Sequence, residues 1–161
     1  MIGADTQVTW GDIKKVHADT KYSKLIVDKR GVFAFAGNSG YQQPFITFLN
    51  ETKIPLKNKS MENDLFKFFL GFYKFLEGFC EHIPDKDAEF KDHAGFIYAN
   101  NAGIWHIDSQ RSVTRAERFV SIGSGLEYAL GAAHSLYENH SPRETVETSL
   151  LTSAYFDINT S

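Results

Sequence analysis

The sequence has few cysteines, few prolines and no long apolar run, and each shortage excludes a class of protein. Its 161 residues include one cysteine, Cys80, so an internal disulfide framework is excluded and a reducing, cytoplasmic compartment is expected. Charged residues interrupt every apolar stretch before the roughly 20 residues that a membrane-spanning helix needs, so no membrane partner is expected. Four prolines and 12 glycines are too few for a collagen-like or low-complexity chain.

An excess of basic residues is also absent. Lys and Arg number 17 against 20 Asp and Glu, which gives a net charge of −3. Such a chain has little charge with which to neutralise a phosphate backbone, so nucleic acid is a poor candidate partner. The 42% of hydrophobic residues is ordinary for a folded protein, and the length predicts a single domain over residues 1–161.

Motifs for metals and cofactors are absent too. The six histidines are scattered without metal-ligand spacing, and neither a phosphate-binding loop nor a dinucleotide glycine fingerprint occurs in the sequence. Ser124 lies between glycines in SIGSG, but this is not the G-x-S-x-G of a serine esterase. The sequence therefore predicts no cofactor and no metal.

Hydrophobic periodicity predicts strands, two helices, strands and two further helices. Strands are predicted at 7–9, 13–17, 24–27, 32–36, 94–99, 103–107 and 119–122. Helices are predicted from the glycine turn at 37–40, over 65–79 after a cap at Ser60, after Gly125, and from Ser141 to about Ala154. The hairpin 94–107 is expected to form a second sheet pair, and 81–93 a polar loop. This order indicates an α+β protein whose antiparallel sheets are covered by helices.

The predicted helix over 65–79 is rich in phenylalanine on more than one face. We expect it to be covered on two sides, by the sheet and by a neighbouring helix or subunit. Cys80 follows this apolar pattern and is predicted to be a small core residue.

Four short motifs follow one another in a fixed order: GADTQVT at 3–9, YSKLI at 22–26, AGNSG at 36–40 and SIGSGLEYALGAA at 121–133. Together with the closing FDINTS they resemble the proteasome beta-type family, in particular its HslV-like peptidases, over almost the whole chain. The resemblance implies a four-layer αββα sandwich of two antiparallel sheets flanked by helix pairs. It also implies self-assembly into rings, an ATP-dependent unfoldase as partner and unfolded polypeptide as substrate.

Members of that family are N-terminal nucleophile hydrolases. A chain-starting Thr attacks the peptide carbonyl, and its own α-amine, whose ordinary pKa of about 8 suits a base near neutral pH, takes the proton. By position, Asp5 resembles the acidic residue that orients the site, and Lys24 resembles the lysine whose charge stabilises the nucleophile. Gly37 falls where the family supplies an N–H to the oxyanion. Without the resemblance, the sequence is equally compatible with Asp5 capping a turn and with Lys24 being a solvated strand residue.

The resemblance assigns a supporting role to residues near the other end of the chain. Ser124 and Asp157 match the residues that hydrogen-bond around the nucleophile and its amine, and Thr160 is a weaker match. Ser124 alone could simply cap the helix that starts near Gly125.

The sequence departs from the family pattern at both ends. The family nucleophile begins a complete strand before the GAD motif, whereas here only Met1 to Ala4 precede Asp5. Removal of Met1 would expose Ile2, which has neither hydroxyl nor thiol. Thr6 and Thr9 lie beyond the acid. We therefore expect the first and last strands, and the nucleophilic Thr, to be absent from this chain.

Three hypotheses follow from this departure. The first is a threonine-type endopeptidase subunit whose coding sequence begins further upstream, favoured because Asp5, Lys24 and Ser124 are intact. The second is a catalytically inactive scaffold, or an assembly or binding protein, with the same fold. The third is an amide hydrolase of the same nucleophile class that acts on a small amide.

Overall fold

The computed structural model describes residues 1–5, 7–10, 13–16, 23–37, 39–54, 56, 61–80 and 94–160. Within these ranges the chain is α+β, with a two-stranded and a five-stranded antiparallel sheet and four α-helices. The strands are β1 (Gln7–Trp10), β2 (Ile13–Val16), β3 (Leu25–Asp28), β4 (Gly31–Ala36), β5 (Gly95–Asn100), β6 (Gly103–Ile107) and β7 (Val113–Ala116). The helices are α1 (Gln42–Glu51), α2 (Met61–Cys80), α3 (Leu126–Leu136) and α4 (Pro142–Phe156).

The five-stranded sheet has two chemically different faces. Its strands lie in the order β3-β4-β5-β6-β7, so β4 and β5 are neighbours although α1 and α2 separate them in sequence. Phe33 lies opposite Tyr98, and Phe35 lies opposite Phe96. Because side chains alternate along a strand, the aromatic residues share one face and the smaller Ala34 and Ile97 share the other.

The aromatic face packs against α1 and α2 to form the main core. Phe45 of α1 and Phe69 of α2 are buried there, and their ring centroids lie 5.0 Å and 4.8 Å from that of Phe96. Each such ring pair contributes about 0.5–1.5 kcal/mol beyond the burial of its area. Phe68, Phe69 and Phe72 of α2 are thus covered by the sheet and α1. Among the described side chains of α2, only Phe66 is a large exposed hydrophobe.

Helix boundaries follow local sequence signals closely. A one-turn 3₁₀ helix, Ser39–Tyr41, precedes α1, and Pro44 lies in the first turn of α1, where a missing N–H is tolerated. Ser141 and Glu144 form a capping box at the start of α4. The four predicted helices are confirmed.

Two predictions about the strands were wrong. Residues 119–122 are not a strand; the edge strand is β7, which was not predicted and which pairs with β6. A tight turn reverses the chain directly after β6, and in it the N–H of Ser112 donates to the Asp108 side chain. Residues 113–116 therefore pair with β6 at the sheet edge, a place that residues 119–122 cannot then take. The hairpin β5–β6 is not a separate sheet pair either, since β5 pairs with β4. Periodicity locates strands but does not identify their partners.

Several predictions concern residues outside the described ranges. They are the cap at Ser60, the loop at 81–93, Tyr22 of YSKLI, Asn38 of AGNSG, Thr6, and His17 at the end of the second strand. The side chains of Thr9 and Cys80 are also outside the description. Among the described residues, none of the helices combines the length and the hydrophobicity that crossing a bilayer requires.

Candidate functional site

Helices α3 and α4 form a layer held together by small side chains. Ala129 and Ala133 of α3 and Thr145, Ser149 and Ser153 of α4 are all buried. The Ser149 hydroxyl donates to the Thr145 carbonyl oxygen at 2.7 Å, so this buried polar group is satisfied within its own helix. Small residues on both helices let their backbones approach closely.

A cavity of about 360 Å³ lies between this helix layer and the smaller-residue face of the sheet. Ala34 and Ile97 line it from the sheet, and Ala129 and Ser149 line it from the helices. Met1–Asp5 also line it; a Cβ on Gly3 would lie 2.8 Å from Val146 Cγ1, so this segment lies against α4. The cavity holds a first polar pair at one of its borders.

That first pair is Asp5 and Lys24. The Lys24 Nζ lies 2.8 Å from Asp5 Oδ1 and 2.9 Å from Oδ2, and the two side chains are 19% and 17% exposed. Partial burial strengthens a charge pair relative to one in free solvent. Lys24 is therefore neither a solvated strand residue nor a free cation, and both members border the cavity.

A second polar group joins the start of α3 to the segment after α4. The Ser124 hydroxyl donates to Asp157 Oδ2 at 2.6 Å, and the Thr160 hydroxyl donates to the same oxygen at 2.7 Å. The backbone N–H of Asn159 donates to Asp157 Oδ1 at 3.1 Å. Desolvation opposes ionisation of Asp157, but the hydrogen bonds from Ser124, Thr160 and Asn159 outweigh it and lower the pKa of this carboxyl. The N-cap of α3 is Gly125 without a side-chain cap, so Ser124 does not cap that helix.

Gly125 and Ser153 hold this second group in place. The Ser153 hydroxyl donates to the Gly125 carbonyl oxygen at 3.0 Å, which ties the end of α4 to the start of α3. A Cβ on Gly125 would lie 2.9 Å from Thr160 Oγ1 and 3.0 Å from Ser153 Cβ, so a larger residue would force its neighbours to shift. Neither residue was predicted as part of the site, although the GSG triplet signals close approach of the backbone.

Gly37 and Gly123 adopt backbone angles that favour glycine. Their φ values are 126° and 100°, both in the region with positive φ. A Cβ on Gly123 would lie 3.5 Å from the Cβ of Ala36, so the end of β4 contacts the turn before α3. Gly37 directly follows Ala36, which itself lines the cavity.

The sequence-predicted residues thus form two hydrogen-bonded groups around one cavity. Asp5, Lys24 and Ser124 all line it, and Asp157 is joined to it through Ser124. Gly37 lies one residue from its lining. Within the described ranges, no three His, Cys, Asp or Glu side chains are grouped as ligands for a metal ion.

Similarity to known proteins is found at the level of structure. No family model and no curated protein matches the chain. A structure of Thiobacillus denitrificans BPH in complex with epoxomicin superposes with a TM-score of 0.80 at 22% identity, covering 98% of this chain and 85% of that one. A second T. denitrificans BPH structure gives a TM-score of 0.77 at 21% identity, covering 98% and 84%. Eukaryotic HslV from Trypanosoma brucei gives 0.62 at 21% identity, covering 98% and 86%.

Proposed function

From the HslV-like, proteasome beta-type fold that this chain adopts, we propose that it is a threonine-type peptidase subunit that hydrolyses peptide bonds of unfolded polypeptides. One observation carries the proposal. The pair Asp5–Lys24 and the pair Ser124–Asp157 come from distant parts of the chain and meet around the same cavity. A purely structural subunit would not need two polar pairs at one cavity, of which Asp5–Lys24 is partly buried.

The proposed chemistry uses the roles that the family resemblance gives these residues. A chain-starting hydroxyl attacks the substrate carbonyl carbon, and its proton passes to the α-amine of the same residue. The Gly37 N–H binds the oxyanion, and the Lys24 ammonium, oriented by Asp5, stabilises the negative charge of the nucleophile. The α-amine then returns the proton to the leaving amine, and a water molecule releases the acyl group. Ser124 and Asp157, with Thr160, orient the α-amine.

The finer architecture belongs to the same proposal. We propose a four-layer αββα sandwich in which Met1–Asp5 belongs to a second antiparallel sheet between the five-stranded sheet and the α3–α4 layer. The support is that this segment lies between those two layers, beside a cavity of about 360 Å³ that further strands would fill. The nucleophile would then begin a strand next to Asp5.

Partners and compartment are also part of the proposal. The resemblance implies that the subunits assemble into rings that enclose the sites and that an ATP-dependent unfoldase feeds them. Enclosure would restrict hydrolysis to polypeptide that has been unfolded and admitted. We propose a cytoplasmic location, where a lone cysteine such as Cys80 is ordinary.

The test combines the mass of the natural protein with peptide hydrolysis. We expect the intact protein purified from its source to begin with Thr, Ser or Cys and to cleave a fluorogenic peptide. Lys24→Ala should lower kcat/KM by about 10²-fold or more, because it removes the charge that stabilises the nucleophile. Lys29→Ala, in the exposed turn between β3 and β4, is the matched control and should retain activity.

The second candidate function is a catalytically inactive scaffold or assembly protein. It is favoured because Met1–Ala4, the residues before Asp5 that line the cavity, include neither a hydroxyl nor a thiol. A natural protein that retains Met1 and cleaves neither peptides nor small amides would establish this function and overturn the first. Hydrolysis of a small amide alone would replace the polypeptide substrate.

A further inference from the structure

The backbone of Lys24 lies at the end of the ladder between β3 and β4. In the register of these strands Leu25 lies opposite Ala34, so Lys24 comes opposite Phe35. The Phe35 N–H donates to the Lys24 carbonyl oxygen at 3.2 Å, which makes the rung at this end of the pairing. The sheet therefore holds the C-terminal side of Lys24, and the residue before it, Ser23, is held by other contacts.

One of these other contacts comes from helix α1. Gln42 is the first residue of that helix, and its side-chain Nε2 donates to the Ser23 carbonyl oxygen. The N-cap residue of α1 is Tyr41, which makes no side-chain cap, and the Gln42 amide does not turn back to the helix but reaches the segment before β3. Because a carbonyl oxygen only accepts, the amide nitrogen must face it and the orientation of this amide is fixed. Gln42 thus joins the start of α1 to the residue before Lys24.

The same hydrogen bond connects two groups that the proposed reaction uses. Gly37 directly follows β4, and the chain leads from it to the 3₁₀ helix Ser39–Tyr41 and then to Gln42. Gln42 returns to Ser23, the neighbour of Lys24. The segment that leaves the sheet at Gly37 is thereby closed against the residue before Lys24. This closure sets the separation between the Gly37 N–H and the backbone of Lys24.

We propose that Gln42 is a positioning residue of the peptidase site, which fixes the backbone of Lys24 relative to Gly37. A lysine side chain is a flexible four-carbon stem, so its ammonium keeps one position only when both ends of the stem are held. Asp5 holds the Nζ end at 2.8 Å and 2.9 Å, and Gln42 holds the backbone end. A misplacement of about 1 Å at a reacting group costs roughly 100-fold in rate. The inference rests on the proposed function and names the residue that places one of its charges.

Glutamine has the chemistry that this position requires. Its amide is a neutral donor, whereas a lysine or arginine would bring a second cation to the segment that carries Lys24. An ionised glutamate of the same length has no hydrogen to donate and would repel the Ser23 carbonyl oxygen. Length, a donor and the absence of charge are therefore combined in Gln42.

Native-state hydrogen exchange, followed by NMR, tests the contact without any measurement of activity. Gln42→Met keeps the length of the side chain but removes the N–H donor. We expect the Phe35 amide, which donates to the Lys24 carbonyl oxygen, to exchange roughly 3–10-fold faster in this variant, because a neutral hydrogen bond contributes about that factor. Asn50→Leu, which replaces an exposed amide in the last turn of α1, is the matched control and should leave this exchange unchanged. Amides that join β4 to β5 should exchange equally in both variants.

Peptide hydrolysis tests the role in positioning. We expect Gln42→Met to lower kcat on a fluorogenic peptide roughly 3–10-fold with KM unchanged, because Lys24 acts on charge that develops during the reaction and not on substrate binding. Gln42→Glu should lower kcat at least as much, and Asn50→Leu should keep both constants of the unchanged protein. Urea denaturation confirms that each variant is folded.

The possible outcomes separate this inference from the function on which it rests. Equal exchange of the Phe35 amide in Gln42→Met and Asn50→Leu would overturn the inference, since Gln42 would then not hold the backbone of Lys24. Faster exchange with kcat unchanged would also overturn it, because the contact would then stabilise the fold without placing the charge. An unchanged protein that hydrolyses no peptide refutes the proposed function, whereas an active protein with an unaffected Gln42→Met variant refutes the inference alone.

Discussion

The two faces of the five-stranded sheet are covered in opposite ways. On one face, Phe45, Phe69 and Phe96 pack ring against ring with almost no exposure. On the other, Ala34 and Ile97 face a cavity, and the helices beyond it meet through small residues. The aromatic face gives the fold its stability, and the second face gives space for polar pairs. Stability and the candidate chemistry are therefore carried by different layers of one chain.

The largest expected effect tests the core between the aromatic face of the sheet and α2. Phe72→Ala removes a fully buried ring that lies 4.9 Å from Phe45, centroid to centroid, and leaves a cavity in the core. We expect it to lower the free energy of unfolding by about 3–5 kcal/mol, measured by urea denaturation. Phe66→Ala, on the same helix but 47% exposed, should cost about 1 kcal/mol or less. Similar losses for the two variants would contradict the assignment of α2 to the core.

A smaller effect is expected on the other side of the sheet, where the start of α3 contacts the segment after α4. Gly125→Ala places a Cβ 2.9 Å from Thr160 Oγ1, so the turn before α3 or the segment after α4 must shift. We expect a loss of about 1–3 kcal/mol in the free energy of unfolding, together with loss of the Ser124–Asp157 hydrogen bond. The measurement is urea denaturation combined with a crystal structure of the variant.

The control lies six residues further along α3. A Cβ on Gly131 would meet nothing within 4 Å, so Gly131→Ala should stabilise the protein by up to about 1 kcal/mol through helix propensity. If both alanines were tolerated equally, close approach of α3 and α4 at Gly125 would be refuted.

Sequence patterns predicted the helices of both layers and the hairpin β5–β6, but not the pairing of β4 with β5. The cap at Ser141 and Glu144 is encoded within four residues, and local signals of this kind were read correctly. The pairing of β4 with β5 depends on Phe33 and Phe35 meeting residues more than sixty positions away, which no local pattern reports. Likewise, the edge strand β7 was not predicted, because the turn at Asp108 determines which segment pairs with β6.

The candidate site shows the same limit. The order of the motifs predicted five site residues: Asp5, Lys24, Gly37, Ser124 and Asp157. Their catalytic roles remain predictions. The contact of Gly125 with Ser153 was not predicted, because it depends on the relative placement of two helices. Short motifs therefore identify chemical groups, whereas the residues that position them emerge only from tertiary packing.

The smallest expected effect concerns the ionisation of Asp157, whose carboxylate joins the segment after α4 to the start of α3. Burial raises the pKa of its carboxyl, but hydrogen bonds from Ser124, Thr160 and Asn159 prevail and lower it. Because the folded pKa lies below the unfolded value of about 3.9, the stabilisation is complete above that value and is lost as the pH falls through the folded pKa. Ser124→Ala should therefore raise the pKa of Asp157 and make the free energy of unfolding less sensitive to acid. The pKa is measured by NMR titration of the carboxyl group, and the free energy by urea denaturation at several pH values. Ser135→Ala, whose hydroxyl bonds only to its own helix at the Gly131 carbonyl, is the control and should leave that titration unchanged. An unchanged Asp157 titration in Ser124→Ala would show that the hydroxyl does not hold this carboxylate, and the second polar group at the cavity would lose its support.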